Sequence, residues 1–152
     1  MEKKNIAIDQ INEKMKAFAT ASKIDLPSLG WIKYIRTGLG MSLQQLASRL
    51  NITKQSLQKI ETREQIGTVT INTLKDVAEA MDMKLIYAFV AKDGSVHQLI
   101  ERKAKELATE IVSRTEQTMK LENQQNNAIR IKKAIQERIV SIKNEIPKPL
   151  WD

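Results

Sequence analysis

From Ser42 to Thr62 the chain reads SLQQLASRLNITKQSLQKIET, and few backbone arrangements satisfy that order of residues. Ser42 is of the type that caps a helix N-terminus, and Leu46 and Leu50 follow at i, i+4 spacing, which predicts a short helix with one apolar stripe. Ala47 stands beside the stripe, where a small side chain lets a second helix cross closely. At Asn51 the chain must turn through left-handed backbone, which costs an L-residue roughly 1–2 kcal/mol and which Asn tolerates better than any type but Gly. Ile52 anchors the turn, Thr53 caps a second helix, and Leu57 and Ile60 of that helix face back toward the first. Lys54, Gln55, Gln58 and Lys59 are left outside, and these are types that bond base edges and phosphates. A helical hairpin made only for packing needs the inward Leu and the turn, but not this outer set. The pattern therefore predicts a helix-turn-helix whose second helix enters a major groove. The candidate DNA contacts are Ser42, Gln44, Thr53, Lys54, Gln55, Ser56, Gln58, Lys59 and Arg63.

The charge balance suits a polyanionic partner. The net charge is +7 and the pI about 9.6, yet the excess is diffuse, with no basic tail. The absence of Cys excludes a disulfide framework and a thiolate metal site, so a reducing cytoplasm, with association to the nucleoid, is the expected location. No apolar run approaches the roughly 18 residues of a membrane span, and Met1-Glu2-Lys3-Lys4 leads into no apolar core of the signal type. His97 is the only histidine, so a multi-ligand zinc site or a histidine-based triad has no residues to form it. It is expected on the surface at the start of a long helix. Five scattered Gly form no phosphate loop. Neither a cofactor, a metal nor an enzymatic activity is expected.

Around the motif nearly everything reads helical. Ile8, Ile11, Met15 and Phe18 define an amphipathic N-terminal helix that stops before Pro27, giving a first segment 1–27. Ser28 is the expected cap of the next helix, with Trp31, Ile32, Ile35 and Leu39 as its buried face and Gly38 and Gly40 at its end. Arg36 on that helix is expected within reach of Glu61. After a polar connection containing Gly67, Thr70 caps a helix whose inner residues are Leu74, Val77, Ala78 and Met81.

The period then changes. Leu85, Ile86, Tyr87, Ala88, Phe89 and Val90 are rich in β-branched and aromatic types, and Asp93-Gly94 follows as a turn. The segment predicts one β-strand; the alternative is a last core helix. A lone strand needs a partner, and the same strand of a second copy would supply one across a two-fold axis. The fold class expected is mainly α: a five-helix core with one β-strand over residues 28–91, then a C-terminal helical extension over 96–152. In that extension Ile100, Ala104, Leu107, Ala108 and Ile111 form one stripe. Gln124 to Asn127 suggest a break. Ile131, Ile135, Ile139 and Ile142 form the stripe of a last helix, from about Ala128 to Ile146, which Pro147 ends. Trp151 either packs on these helices or enters a pocket of another protein.

Gly30-Trp31-Ile32, Ile35-Arg36, Leu39-Gly40-Met41, Gln45-Leu46-Ala47, Gly67-Thr68 and Ala78-Glu79-Ala80 resemble the Xre-type, lambda-repressor-like helix-turn-helix proteins. With Leu85–Val90, Thr118-Met119, Leu121-Glu122 and the terminal Leu150-Trp151-Asp152, the chain resembles the family called mobile mystery protein A along almost its whole length. Leu43 departs from many Xre relatives, which carry a DNA-contacting Gln there. The resemblance implies a gene of mobile elements beside a Fic-domain protein, an enzyme class that moves AMP from ATP to hydroxyl side chains and that inhibitors hold in check. Thr118, Glu122 and Asn123 match the inhibitory helix pattern of Fic proteins: Ser/Thr, three residues, Glu, then Gly/Asn. A Glu one turn beyond a hydroxyl projects on the same side, where its carboxylate could pair with an Arg that otherwise holds the γ-phosphate. The polar end of an amphipathic helix would carry Thr118 and Glu122 equally well.

The expected function is thus a dimeric, DNA-binding antitoxin and repressor that reads an inverted repeat in double-stranded DNA and restrains a Fic AMP-transferase. A plain transcriptional regulator of a mobile element or prophage is the main rival. A protein-interaction module with a decayed motif is the third reading, and it gives no reason for the outer set on the second helix.

Overall fold

The structure, a computed structural model, describes residues 2–117 and 124–152, with side chains over 4–116 and 128–152. Seven α-helices follow one another among the described residues: α1 (Glu2–Lys16), α2 (Trp31–Gly38), α3 (Leu43–Arg49), α4 (Lys54–Gln65), α5 (Ile71–Ala80), α6 (Val96–Gln117) and α7 (Gln124–Glu145). Single 3-10 turns lie at Ala21–Lys23 and Lys148–Trp151. The chain divides into two compact units, Ile24–Tyr87 and Met1–Lys23 with Ala88–Asp152.

The first unit is α2 to α5. Its core is Ile32, Leu46, Ala47, Leu57, Val77 and Met81, with Ile35, Leu50, Ile52, Ile60 and Leu74 half-buried around it. Leu46, Ala47 and Leu57 have no exposed surface, as the i, i+3, i+4 spacing requires of residues at a close crossing of α3 and α4. Ser42, Thr53 and Thr70 cap α3, α4 and α5 by accepting from Gln45 N, Ser56 N and Thr73 N. At Ser42 the capping is reciprocal, because Gln45 Oε1 accepts from Ser42 N at 2.7 Å.

All four helices end in the same way. The residue after each cap, Gly40, Asn51, Gly67 or Asp82, is left-handed, with φ between 54° and 77°. The next N–H then reaches back to the last turn: Met41 to Arg36 O, Ile52 to Ala47 O, Thr68 to Arg63 O and Met83 to Ala78 O, all within 3.0 Å. These Schellman turns satisfy carbonyls that would otherwise be orphaned. Asn51, at φ 54°, holds the left-handed position expected of it.

Three expectations are corrected. Among the described residues there is no strand, and the core of this unit has four helices, so the five-helix core with one β-strand does not hold. Leu85, Ile86, Tyr87, Ala88, Phe89 and Val90 are neither strand nor helix. A strand exists only as part of a hydrogen-bonded ladder, and no second run in the described chain lies against this one. Ser28 does not cap α2; the cap position is Gly30, at φ 79°, and its side-chain acceptor comes from elsewhere. Trp31 and Leu39 are 43% and 56% exposed, so the buried face of α2 narrows to Ile32, Ile35 and Arg36.

The second unit is α1, α6 and α7 with the terminal 3-10 turn. Ile100, Ala104, Ala108, Ile139, Ile142 and Leu150 form its core, bordered by Ile8, Leu107, Ile111, Ile135 and Ile146. Ala104 and Ala108 are fully buried, and their small side chains let α6 and α7 approach closely along one stripe. Residues 124–127, where a break is expected, are helical, so the last helix is already formed ahead of the expected Ala128. Asn12 Oδ1 accepts from Val96 N at 2.8 Å, which ties α1 to the start of α6. His97 pairs with Asp9 at 2.9 Å and is exposed at the head of α6, as expected. At the end of the chain Leu150, rather than Trp151, is the anchor: Leu150 is 2% exposed and Trp151 52%.

Candidate nucleic-acid interface

The outer face of α4 is assembled by local rules. Thr53 starts the helix and Leu57 seats it in the core. With 3.6 residues per turn, Lys54, Gln55, Gln58 and Lys59 must then point away, and all four are exposed. Gln55, Gln58, Lys59, Thr62 and Arg63 line one open concavity along this face. Among the described residues, no hydrogen bond or ion pair engages the side chains of Lys54, Gln55, Gln58, Lys59 or Arg63. Their donors and acceptors, and their positive charges, are therefore free for a ligand.

The remaining candidates divide. Ser42 is exposed at the start of α3, but its hydroxyl already caps the helix, accepting from Gln45 N at 3.1 Å. Gln44, also exposed, donates to Ser48 Oγ at 3.2 Å. Thr53 Oγ1 accepts from Ser56 N at 3.1 Å and lies 2.9 Å from Ser56 Oγ, so these hydroxyls hold the helix start together. A polar group in a cap can still face a phosphate, but its first task is structural. Thr118, Glu122 and Asn123 lie outside the described residues.

Sequence reasoning missed what holds α4 against α2 at its far end. Glu61 meets Arg36, as expected, and the pair lies in the interior, with side-chain exposures of 7% and 8%. One turn further on, Glu64 Oε1 accepts from Trp31 N and Oε2 from Ile32 N, both at 2.9 Å. Gln65 Nε2 donates to Ser28 O at 3.3 Å. The spacing of Glu61 and Glu64, i and i+3 on one helix face, was the available signal.

Among the described residues, no group of three or more His, Cys, Asp or Glu side chains is placed to hold a metal ion. No described helix is long and apolar enough to cross a membrane.

Part of the chain matches a known family. Residues 32–87 match the family model described as helix-turn-helix, a span that opens in α2, includes α3, α4 and α5, and covers a little over a third of the chain. No curated protein and no solved structure matches the chain. The match supports the Xre-type resemblance of this part of the chain. Residues 32–87 are a helix-turn-helix domain of the kind through which transcriptional regulators bind DNA.

Proposed function

We propose that this protein is a sequence-specific DNA-binding repressor, with α4 as its recognition helix. The observation that carries the reading is the set of exposed, unengaged side chains on α4, Lys54, Gln55, Gln58, Lys59 and Arg63, on a helix seated by fully buried Leu57. A glutamine amide matches the N6/N7 edge of adenine, and lysine matches guanine or phosphate. The test is binding of duplexes selected by the protein from a random-sequence pool. Gln55→Ala should weaken the selected duplex by about 1–3 kcal/mol and blur its preference at one position. Arg63→Ala should weaken all duplexes alike and lower the salt slope by about one. Weak binding of every duplex by wild type, regardless of sequence, would end this reading.

Repression of an inverted repeat calls for two copies. The apolar segment Leu85 to Val90 supports a homodimer, because Ile86, Tyr87 and Phe89 are 65%, 61% and 83% exposed. In this reading the contact is made by side chains. Phe89→Asp should shift the sedimentation of the protein toward monomer and weaken operator binding, and a wild type that sediments as monomer while bound to its operator would refute the dimer.

The finer reading makes the protein the antitoxin of a Fic AMP-transferase. Its support is the sequence Thr118 to Asn123 and the family resemblance, together with a second compact unit, α1, α6 and α7, separate from the DNA-binding one. Glu122→Gln keeps size but removes the charge that would compete for the γ-phosphate Arg. The complex with the Fic protein should persist and AMP transfer from labelled ATP should appear. Equal silence in both complexes, with the Fic protein alone active, would make inhibition steric. Failure to co-purify a Fic protein leaves the plain regulator.

A further inference from the structure

We infer that Glu64 is a positioning residue that aims the recognition helix, and that Gly30 is present to admit its carboxylate; the inference rests on α4 being the DNA-reading helix. Helix α2 has no side-chain cap of its own and no acidic residue in its first turn, so its first N–H groups need an acceptor. Glu64 supplies one from α4, 33 residues away in sequence, accepting from Trp31 N and Ile32 N at 2.9 Å each. An anion at a helix N-terminus is also favoured by the helix dipole.

A Cβ on residue 30 would lie 2.8 Å from Glu64 Oε2 and 3.0 Å from its Cδ. Any side chain at residue 30 would force the carboxylate to shift from the position in which it accepts from both N–H groups. Gly30 also sits at φ 79°, where other residues are strained. Gly30 and Glu64 therefore work as one unit.

Glu61 holds α2 at Arg36 and Glu64 holds it at Trp31 and Ile32, so α4 is gripped at two points along α2. One clip is a pivot, whereas two set the helix direction. Gln55 lies six residues from Glu61, about 9 Å along the axis, so a swing of about 10° at that pivot would carry its amide roughly 1.5 Å. A binding constellation must hold to about 0.5 Å. Leu57 resists displacement of the near half of α4, and at the far end Glu64, through two charge-assisted hydrogen bonds, opposes the swing together with the single longer bond from Gln65 to Ser28 O.

Loss of the second clip should therefore lower sequence discrimination while leaving phosphate attraction intact. The experiment compares wild type, Glu64→Ala, Glu64→Gln, Gly30→Ala and the double variant Gly30→Ala/Glu64→Ala, all full length. Each is assayed well below its melting temperature against a duplex selected by wild type and against mixed-sequence DNA. For Glu64→Ala the ratio of the two affinities should fall about tenfold, with mixed-sequence affinity and its salt slope unchanged. Gly30→Ala should reproduce that fall, and the double variant should lose no more discrimination than either single one. Glu64→Gln, which keeps one acceptor but turns a donor toward an N–H, should fall between, and it serves if the alanine variant does not fold. A lowered melting temperature with an unchanged ratio would reduce Glu64 to a stabilising cap and overturn the inference alone. A wild type that binds both DNAs alike would overturn the DNA reading and this inference with it.

Discussion

Arg36 and Glu61 form a two-pronged ion pair inside the helix-turn-helix domain: Nε donates to Oε1 at 2.6 Å and Nη2 to Oε2 at 3.2 Å. The third prong, Nη1, donates to Met41 O at 3.0 Å, just past the turn that ends α2. Every charged atom of the pair thus has a partner, and no buried side-chain N or O among the described residues is left without one. One guanidinium fixes α4, α2 and the approach to α3 together.

Breaking this pair from one side should be costly. Glu61→Leu or Arg36→Met alone strands a buried charge, with an expected loss of about 3–5 kcal/mol in urea unfolding. The double variant Arg36→Met/Glu61→Leu strands none and should recover most of that loss. Equal losses in the single and double variants would show that packing, not charge, dominates at this site.

Asn51 offers a backbone test. At φ 54°, Asn51→Gly should be nearly neutral, whereas Asn51→Val should cost about 1–2 kcal/mol or more, since a β-branched residue fits that conformation worst. Thermal melts would rank the three proteins, and a Val variant as stable as wild type would deny the turn its strain.

The two last apolar residues of the chain should behave in opposite ways. Leu150→Ala removes a fully seated side chain from the core of the second unit and should cost about 2–5 kcal/mol. Trp151→Ala, at a half-exposed position, should change stability by about 0.5 kcal/mol or less. Chemical denaturation monitored by circular dichroism separates the two outcomes.

Acid should loosen the head of α6. The hydrogen bonds from Arg102 hold the Asp93 carboxyl below its ordinary range, with the opposite charge adding to the effect, and the same contacts raise the guanidinium. Because the folded pKa is depressed, the stability it contributes is complete above the unfolded value, and it is lost as pH falls through the folded one. Asp93→Asn should therefore lower the melting temperature at neutral pH and lose that difference progressively below about pH 5. A gap between the two proteins that stays constant into strong acid would assign the effect to something other than this titration.

Features that act over one or two helical turns are legible in the residues alone. Ser42, Thr53 and Thr70 cap their helices, Asn51 turns, and Leu46, Ala47 and Leu57 go inward, because hydroxyl-to-amide reach, left-handed tolerance and helical period are all set by neighbours within four residues. The exposed set on α4 follows from the same period. Features that depend on distant partners are set by packing. A stripe of apolar residues says that a helix face is covered but not how widely, so Trp31 and Leu39 read as buried and stand exposed. Leu85 to Val90 have the composition of a strand, but composition does not supply a ladder. Ser28 has the residue type and place of a cap for α2, because caps are ordinarily local. The acceptor comes instead from Glu64, brought there by the packing of α4 on α2 and lying where a Cβ on residue 30 would crowd it.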